Sequence, residues 1–71
     1  MIRYPVSSSD VASVGYDAST STLEVEFQSG GIYQYFGVPE RHFLALTNGS
    51  GSVGKYLNAQ IKGRYRYQRV G

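Results

Sequence analysis

Apolar and polar residues alternate along much of the N-terminal half of the chain. Ala12, Val14 and Tyr16 alternate with Ser13 and Gly15, and Leu23, Val25 and Phe27 alternate with Glu24, Glu26 and Gln28. A period of two marks a strand with one buried face, and the second run predicts the clearest strand, apolar on one side and charged on the other. Asp17 to Thr22 is a polar turn between them. Ser29-Gly30-Gly31 supplies the positive φ angles of a tight hairpin. Ile32-Tyr33-Gln34-Tyr35-Phe36 follows as a third strand, completing an antiparallel meander.

The pattern changes at Val38-Pro39. Proline fits the first position of a helix, where a backbone N–H has no partner to lose. Phe43, Leu44 and Leu46, with Thr47, fall at helical spacing, and Asn48-Gly49 is the expected stop. Ser52 is placed to cap a second helix with Val53, Tyr56, Leu57 and Ile61 on its apolar side, and Gly63 ends it. Residues 64–70 alternate again and predict a last strand, with Arg64, Arg66 and Gln68 on one side and Tyr65, Tyr67 and Arg69 on the other. The expected order is β-β-β-α-α-β, an α+β domain with two short helices packed on one face of an antiparallel sheet. Residues 1–10 read as a loosely held N-terminal arm, because Ser7-Ser8-Ser9 is polar and Pro5 bars a strand interior. Residues 11–71 form the domain.

Length and composition narrow this picture. Seventy-one residues allow one domain. Without cysteine there is no disulfide framework, so stability must come from a core rich in the seven tyrosines and three phenylalanines, or from a partner. No apolar run approaches the roughly 20 residues of a membrane span, and Met1-Ile2-Arg3-Tyr4-Pro5 lacks the apolar stretch of a signal peptide. A cytoplasmic protein is expected, in which the sequon Asn48-Gly49-Ser50 serves as a turn.

Charge is the more informative property. Residues 1–40 carry Arg3 against Asp10, Asp17, Glu24, Glu26 and Glu40, a net charge of −4. Residues 41–71 carry Arg41, Lys55, Lys62, Arg64, Arg66 and Arg69 with no carboxylate, a net charge of +6. Such asymmetry points to a polyanionic partner.

Catalytic constellations fail on inventory. His42 is the one histidine, expected on a helix surface, and a zinc site needs three or four ligands. Glu24 and Glu26 read as a solvated strand face rather than an acid–base pair. Residues 49–55, Gly-Ser-Gly-Ser-Val-Gly-Lys, have the glycine and lysine spacing of a phosphate-binding loop. Tyr56 stands where that loop needs Ser or Thr, and a helix rather than a strand precedes it. The expectation is a domain that is not an enzyme and has no cofactor and no metal.

What remains is a pairing of bases with aromatics. Arginine binds phosphate through a planar fork, and tyrosine offers a face on which a nucleobase stacks. Lys55, Lys62, Arg64, Arg66 and Arg69 are the expected phosphate ligands, with Tyr33, Tyr35 or Tyr67 as stacking platforms. A structural reading competes. Arginines on a terminal strand also protect a sheet edge, and tyrosines close a small core while keeping their hydroxyls wet.

Gly15-Tyr16-Asp17, residues 23–27, Gly31-Ile32-Tyr33-Gln34-Tyr35, Val38-Pro39, residues 52–58, Ile61 and Tyr65 together resemble the KTSC domain, over roughly residues 7–70. The Tyr33-Gln34-Tyr35 triplet is that family's best-known mark. The family is named for the C-terminus of some lysyl-tRNA synthetases and also occurs as free-standing small proteins of bacteria and phage. The resemblance implies an RNA-binding role by association, and no catalytic residues. The rival expectation is a module that binds another protein or itself through an exposed strand edge.

Overall fold

The computed structural model describes residues 1–49 and 51–71. The elements are β1 (Arg3–Pro5), β2 (Val11–Asp17), β3 (Thr22–Phe27), β4 (Ile32–Tyr35), α1 (Glu40–Asn48), α2 (Val53–Gln60) and β5 (Tyr67–Arg69). The strands form one antiparallel sheet in sequence order, β1-β2-β3-β4-β5, with the helix pair inserted between β4 and β5. This is the expected α+β arrangement with one strand more at its start.

The extra strand corrects the reading of residues 1–10 as a loose arm. Arg3 and Tyr4 pair with Gly15 and Val14 at the sheet edge. Proline is tolerated on an edge strand, and β1 ends at Pro5. A side chain at Gly15 would meet the backbone oxygen of Ile2 at 2.5 Å, so glycine is what lets β1 approach. Within the polar serine run, Ser8 holds the next turn: its Oγ accepts the backbone N–H groups of Asp10 (3.1 Å) and Val11 (3.2 Å).

The β2–β3 register shifts between Val11 and Ser13. The bulge places Val11, rather than Ala12, inward beside Val14, an arrangement that strict alternation forbids. The β2–β3 turn is held by Asp17, whose carboxylate accepts from the Ser19 hydroxyl (2.6 Å) and N–H (3.0 Å); these bonds lower its pKa. In the β3–β4 hairpin, Gly30 takes φ 106° and donates its N–H to Phe27 (2.9 Å), while Phe27 donates to Gly31 (2.9 Å).

One sheet face carries Tyr4, Val14, Val25, Tyr33 and Arg69 in one row and Tyr16, Leu23, Tyr35 and Tyr67 in the next. The helices cover its centre. Val11, Val14, Leu23, Val25, Val38, Leu57 and Ile61 are fully buried there, each contributing about 1.5–3 kcal/mol through burial. The α2 reading holds: Val53, Leu57 and Ile61 face the core, Ser52 Oγ accepts the Lys55 N–H (3.2 Å), and Gly63 takes φ 80°. The last strand is shorter than expected, because residues 61–65 are used to turn out of the helix.

The opposite face is polar and more ordered than a solvated surface. Glu24 lies 3.5 Å from Arg3 and accepts from Gln34 Nε2 at 2.9 Å. Glu26 accepts from Ser13 Oγ at 2.9 Å. These cross-strand bonds tie four strands together, which is how the two glutamates are used.

Candidate nucleic-acid interface

On the inner face, β5 and the Tyr33 end of β4 stay open while Tyr35 is covered. Tyr33 is half-buried, and all three residues of β5 are exposed, Tyr67 at 62%. The rings there form a continuous ledge. Phe27 meets Tyr33 edge-on at 5.6 Å, Tyr33 lies 5.9 Å from Tyr67, and Tyr67 lies 5.7 Å from Tyr35. The ledge follows from register, because Tyr33 pairs with Arg69 and Tyr35 with Tyr67 across the β4–β5 ladder.

Two cations flank it. The Lys62 ammonium sits 4.8 Å above the Phe27 ring, a cation–π contact that holds the side chain over the aromatic surface. Arg69 lies opposite Tyr33, with its guanidinium beside Gly31 and its Nε donating to the Gly71 carbonyl at 2.8 Å. Lys55 is exposed seven positions before Lys62, about two helical turns or roughly 10 Å away.

The structure therefore divides the expected site. Tyr33, Tyr67, Lys62 and Arg69 come together, with Lys55 as an outlying charge. Tyr35 is only 4% exposed and offers no stacking surface; burial, with the neighbouring Tyr33 and Tyr67, raises its pKa. Arg64 donates Nε to the Ala59 carbonyl (3.0 Å), satisfying an orphan acceptor at the end of α2. Arg66 precedes β5 and bonds Phe36 through its carbonyl (2.9 Å), so alternation turns it away from Tyr67 and Arg69. A single basic stripe along the last strand does not form, since consecutive strand residues point to opposite faces.

Two features escaped the sequence reading. Phe27, taken for core alone, forms one end of the ledge. His42, expected on the surface, is 5% exposed. Its Nδ1 lies 2.8 Å from the Tyr56 hydroxyl and its Nε2 lies 3.3 Å from the Tyr65 hydroxyl. Both rings also meet the imidazole edge-on, at 5.8 and 6.0 Å. Burial, and then the charges of Arg41 and Arg64, lower the His42 pKa. A neutral imidazole has one donor and one acceptor nitrogen, so this trio joins α1, α2 and the turn after α2. The signal was Tyr56, four residues into a capped helix and on the same side as the apolar residues.

No group of three or more His, Cys, Asp or Glu side chains among the described residues is placed to hold a metal ion. Among the described residues, no helix is long and apolar enough to cross a membrane. The phosphate-loop-like segment and the sequon both include Ser50, outside the described residues. At its helical end, the Ser52 cap already takes the Lys55 N–H.

The KTSC domain profile matches residues 7–65. A protein of Stutzerimonas stutzeri (strain A1501) is 41% identical over 71 residues, covering 99% of each chain. A lysine–tRNA ligase of Trichormus variabilis is 40% identical over 55 residues, which are 78% of this chain but 10% of that protein. The crystal structure of a KTSC domain protein from Yersinia pestis superposes with a TM-score of 0.91 at 40% identity, covering 99% of this chain and 97% of that one.

Proposed function

This chain belongs to the KTSC domain family, and on that premise we propose that it is a non-catalytic binding module for RNA or other single-stranded nucleic acid in the cytoplasm. The observation that carries the reading is the ledge of Phe27, Tyr33 and Tyr67 flanked by Lys62 and Arg69. Bases stack on Tyr67 and the open side of Tyr33, while the two cations neutralise phosphates of the same strand. The matched ligases bear a tRNA-related name, and the chain spans about a tenth of their length.

Affinity at moderate salt is expected near 10⁻⁴–10⁻⁶ M. With two phosphates neutralised on a single strand, a tenfold rise in salt weakens binding roughly 25-fold. Fluorescence anisotropy of a labelled oligoribonucleotide measures both. Tyr67→Ala should lower affinity about tenfold, whereas Arg66→Ala, directed away from the ledge, should leave it within about twofold. Absence of binding at low salt, or binding indifferent to salt, removes the proposal.

A second reading rests on the outer edge of β5, the last strand in the sheet order. The backbone groups of Tyr67 and Arg69 alternate away from β4 and suit an added strand from another protein or a second copy. Light scattering over a concentration series separates the self-association form: a mass that stays monomeric rules against it.

A further inference from the structure

A cleft of about 310 Å³ opens at the end of the ledge, lined by Asp10, Phe27, Ser29, Tyr33 and Lys62. It is bipolar. Lys62 supplies a positive charge over the Phe27 ring and Asp10 a carboxylate, with Tyr33 in the same lining. Asp10 is fixed by its backbone: its N–H bonds Ser8 Oγ (3.1 Å) and its carbonyl accepts from Gln28 (2.8 Å). Its side chain lies against Gly54 at the start of α2, with Oδ2 3.7 Å from where a Cβ on that glycine would stand. Among the described residues the one ion pair within 4.0 Å joins Arg3 and Glu24, so Asp10 and Lys62 are not neutralising each other.

A carboxylate in a basic nucleic-acid surface repels phosphate. Beside the start of α2 it is favoured by the helix N-terminus, and toward the cleft it suits a ligand edge that donates hydrogen bonds. A carboxylate accepts bidentately, and guanine alone among the four RNA bases presents two adjacent donors, N1–H and the N2 amine, on its Watson–Crick edge. Adenine and cytosine offer an amine beside a ring nitrogen that repels the carboxylate, and uracil offers one N–H between two carbonyls. Unpaired bases in single strands are read on this edge.

We infer that the Asp10–Lys62 cleft receives one guanine of a single strand, its ring against Tyr33 and Phe27, its N1–H and N2 amine donating to Asp10, and a phosphate beside Lys62. This rests on the nucleic-acid reading above and adds base selectivity to it.

The test compares labelled nonaribonucleotides by anisotropy: nine uridines, and the same strand with its central base changed to guanine, adenine, cytosine or hypoxanthine. The guanine strand should bind about tenfold more tightly than the uridine, adenine and cytosine strands, with hypoxanthine, which lacks the N2 amine, intermediate. Asp10→Asn should reduce the guanine preference to within twofold, while binding of the uridine strand stays equal or tightens because a negative charge is gone. Asp10→Ser, which keeps the backbone bonds at this position, should do the same. Uridine binding with no gain from guanine, or a preference that survives both substitutions, overturns the inference and leaves the nucleic-acid reading standing. Failure of every strand to bind overturns both.

Discussion

Tyr35→Ala is expected to lower stability by about 3–5 kcal/mol, the cost of emptying a buried aromatic site. A domain of this length has roughly 4–10 kcal/mol in total, so the substitution removes about a third or more of its stability. Tyr35 is 4% exposed, pairs with Leu23 and Tyr67 on the inner face, and belongs to the hydrophobic core cluster. Its hydroxyl accounts for little of this, and Tyr35→Phe should stay within about 1 kcal/mol of the parent. Tyr33→Ala, two residues earlier on the same face, should unfold the protein far less and weaken nucleic-acid binding instead. Urea denaturation of the three variants decides the matter. Equal destabilisation by Tyr33→Ala and Tyr35→Ala would show that the two tyrosines of the family triplet share one role. The raised pKa of Tyr35 adds a consequence at high pH. The folded state holds that phenolic proton more tightly than the unfolded chain, so this contribution is complete below about pH 10 and is lost as pH rises further.

Removing the His42 imidazole comes next in size. His42→Ala should cost about 2–4 kcal/mol, since it leaves a void and two tyrosine hydroxyls, of Tyr56 and Tyr65, short of a partner. Acid should act on the same trio in the native protein. The folded-state pKa of His42 lies below its ordinary value of about 6.5, first through burial and then through Arg41 and Arg64. Below about pH 6.5 the unfolded chain therefore binds more protons than the folded one, and stability falls as pH falls toward the depressed folded value. Above 6.5 the contribution is complete. Urea midpoints at pH 7.5, 6.5 and 5.5 should decline for the native protein and stay nearly level for His42→Leu, which cannot titrate. A parallel decline in both proteins would assign the acid sensitivity to other groups.

The sheet was legible in the sequence wherever period-two alternation met a turn signal. Residues 23–27 and 32–35, joined through Gly30, are strands because each buries one side, and that requirement is written in the order of residues. The capped second helix was equally legible from Ser52, Val53, Leu57 and Ile61. β1 was not, because an edge strand of three residues is held by backbone bonds, and those depend on a distant glycine rather than on its own side chains. His42 was misplaced for a related reason. Hydropathy ranks it polar, yet two hydroxyls from other segments satisfy its nitrogens, so burial leaves no polar atom unpaired.

The proposed binding site was half legible. Composition placed the positive charge in residues 41–71, and alternation already separated Arg66 from Tyr67 and Arg69. The sequence alone thus determined the order of strands and helices from β2 onward, the family triplet and the sign of the charge on the C-terminal half. Only the tertiary structure decided that Tyr33 faces the ledge while Tyr35 fills the core, that Arg64 caps a helix, and that Lys62 and Asp10 line one cleft. Periodicity fixes which side of a strand a residue takes. How far the helices extend over that side depends on packing among segments remote in the chain, and that packing separates a core tyrosine from a surface one.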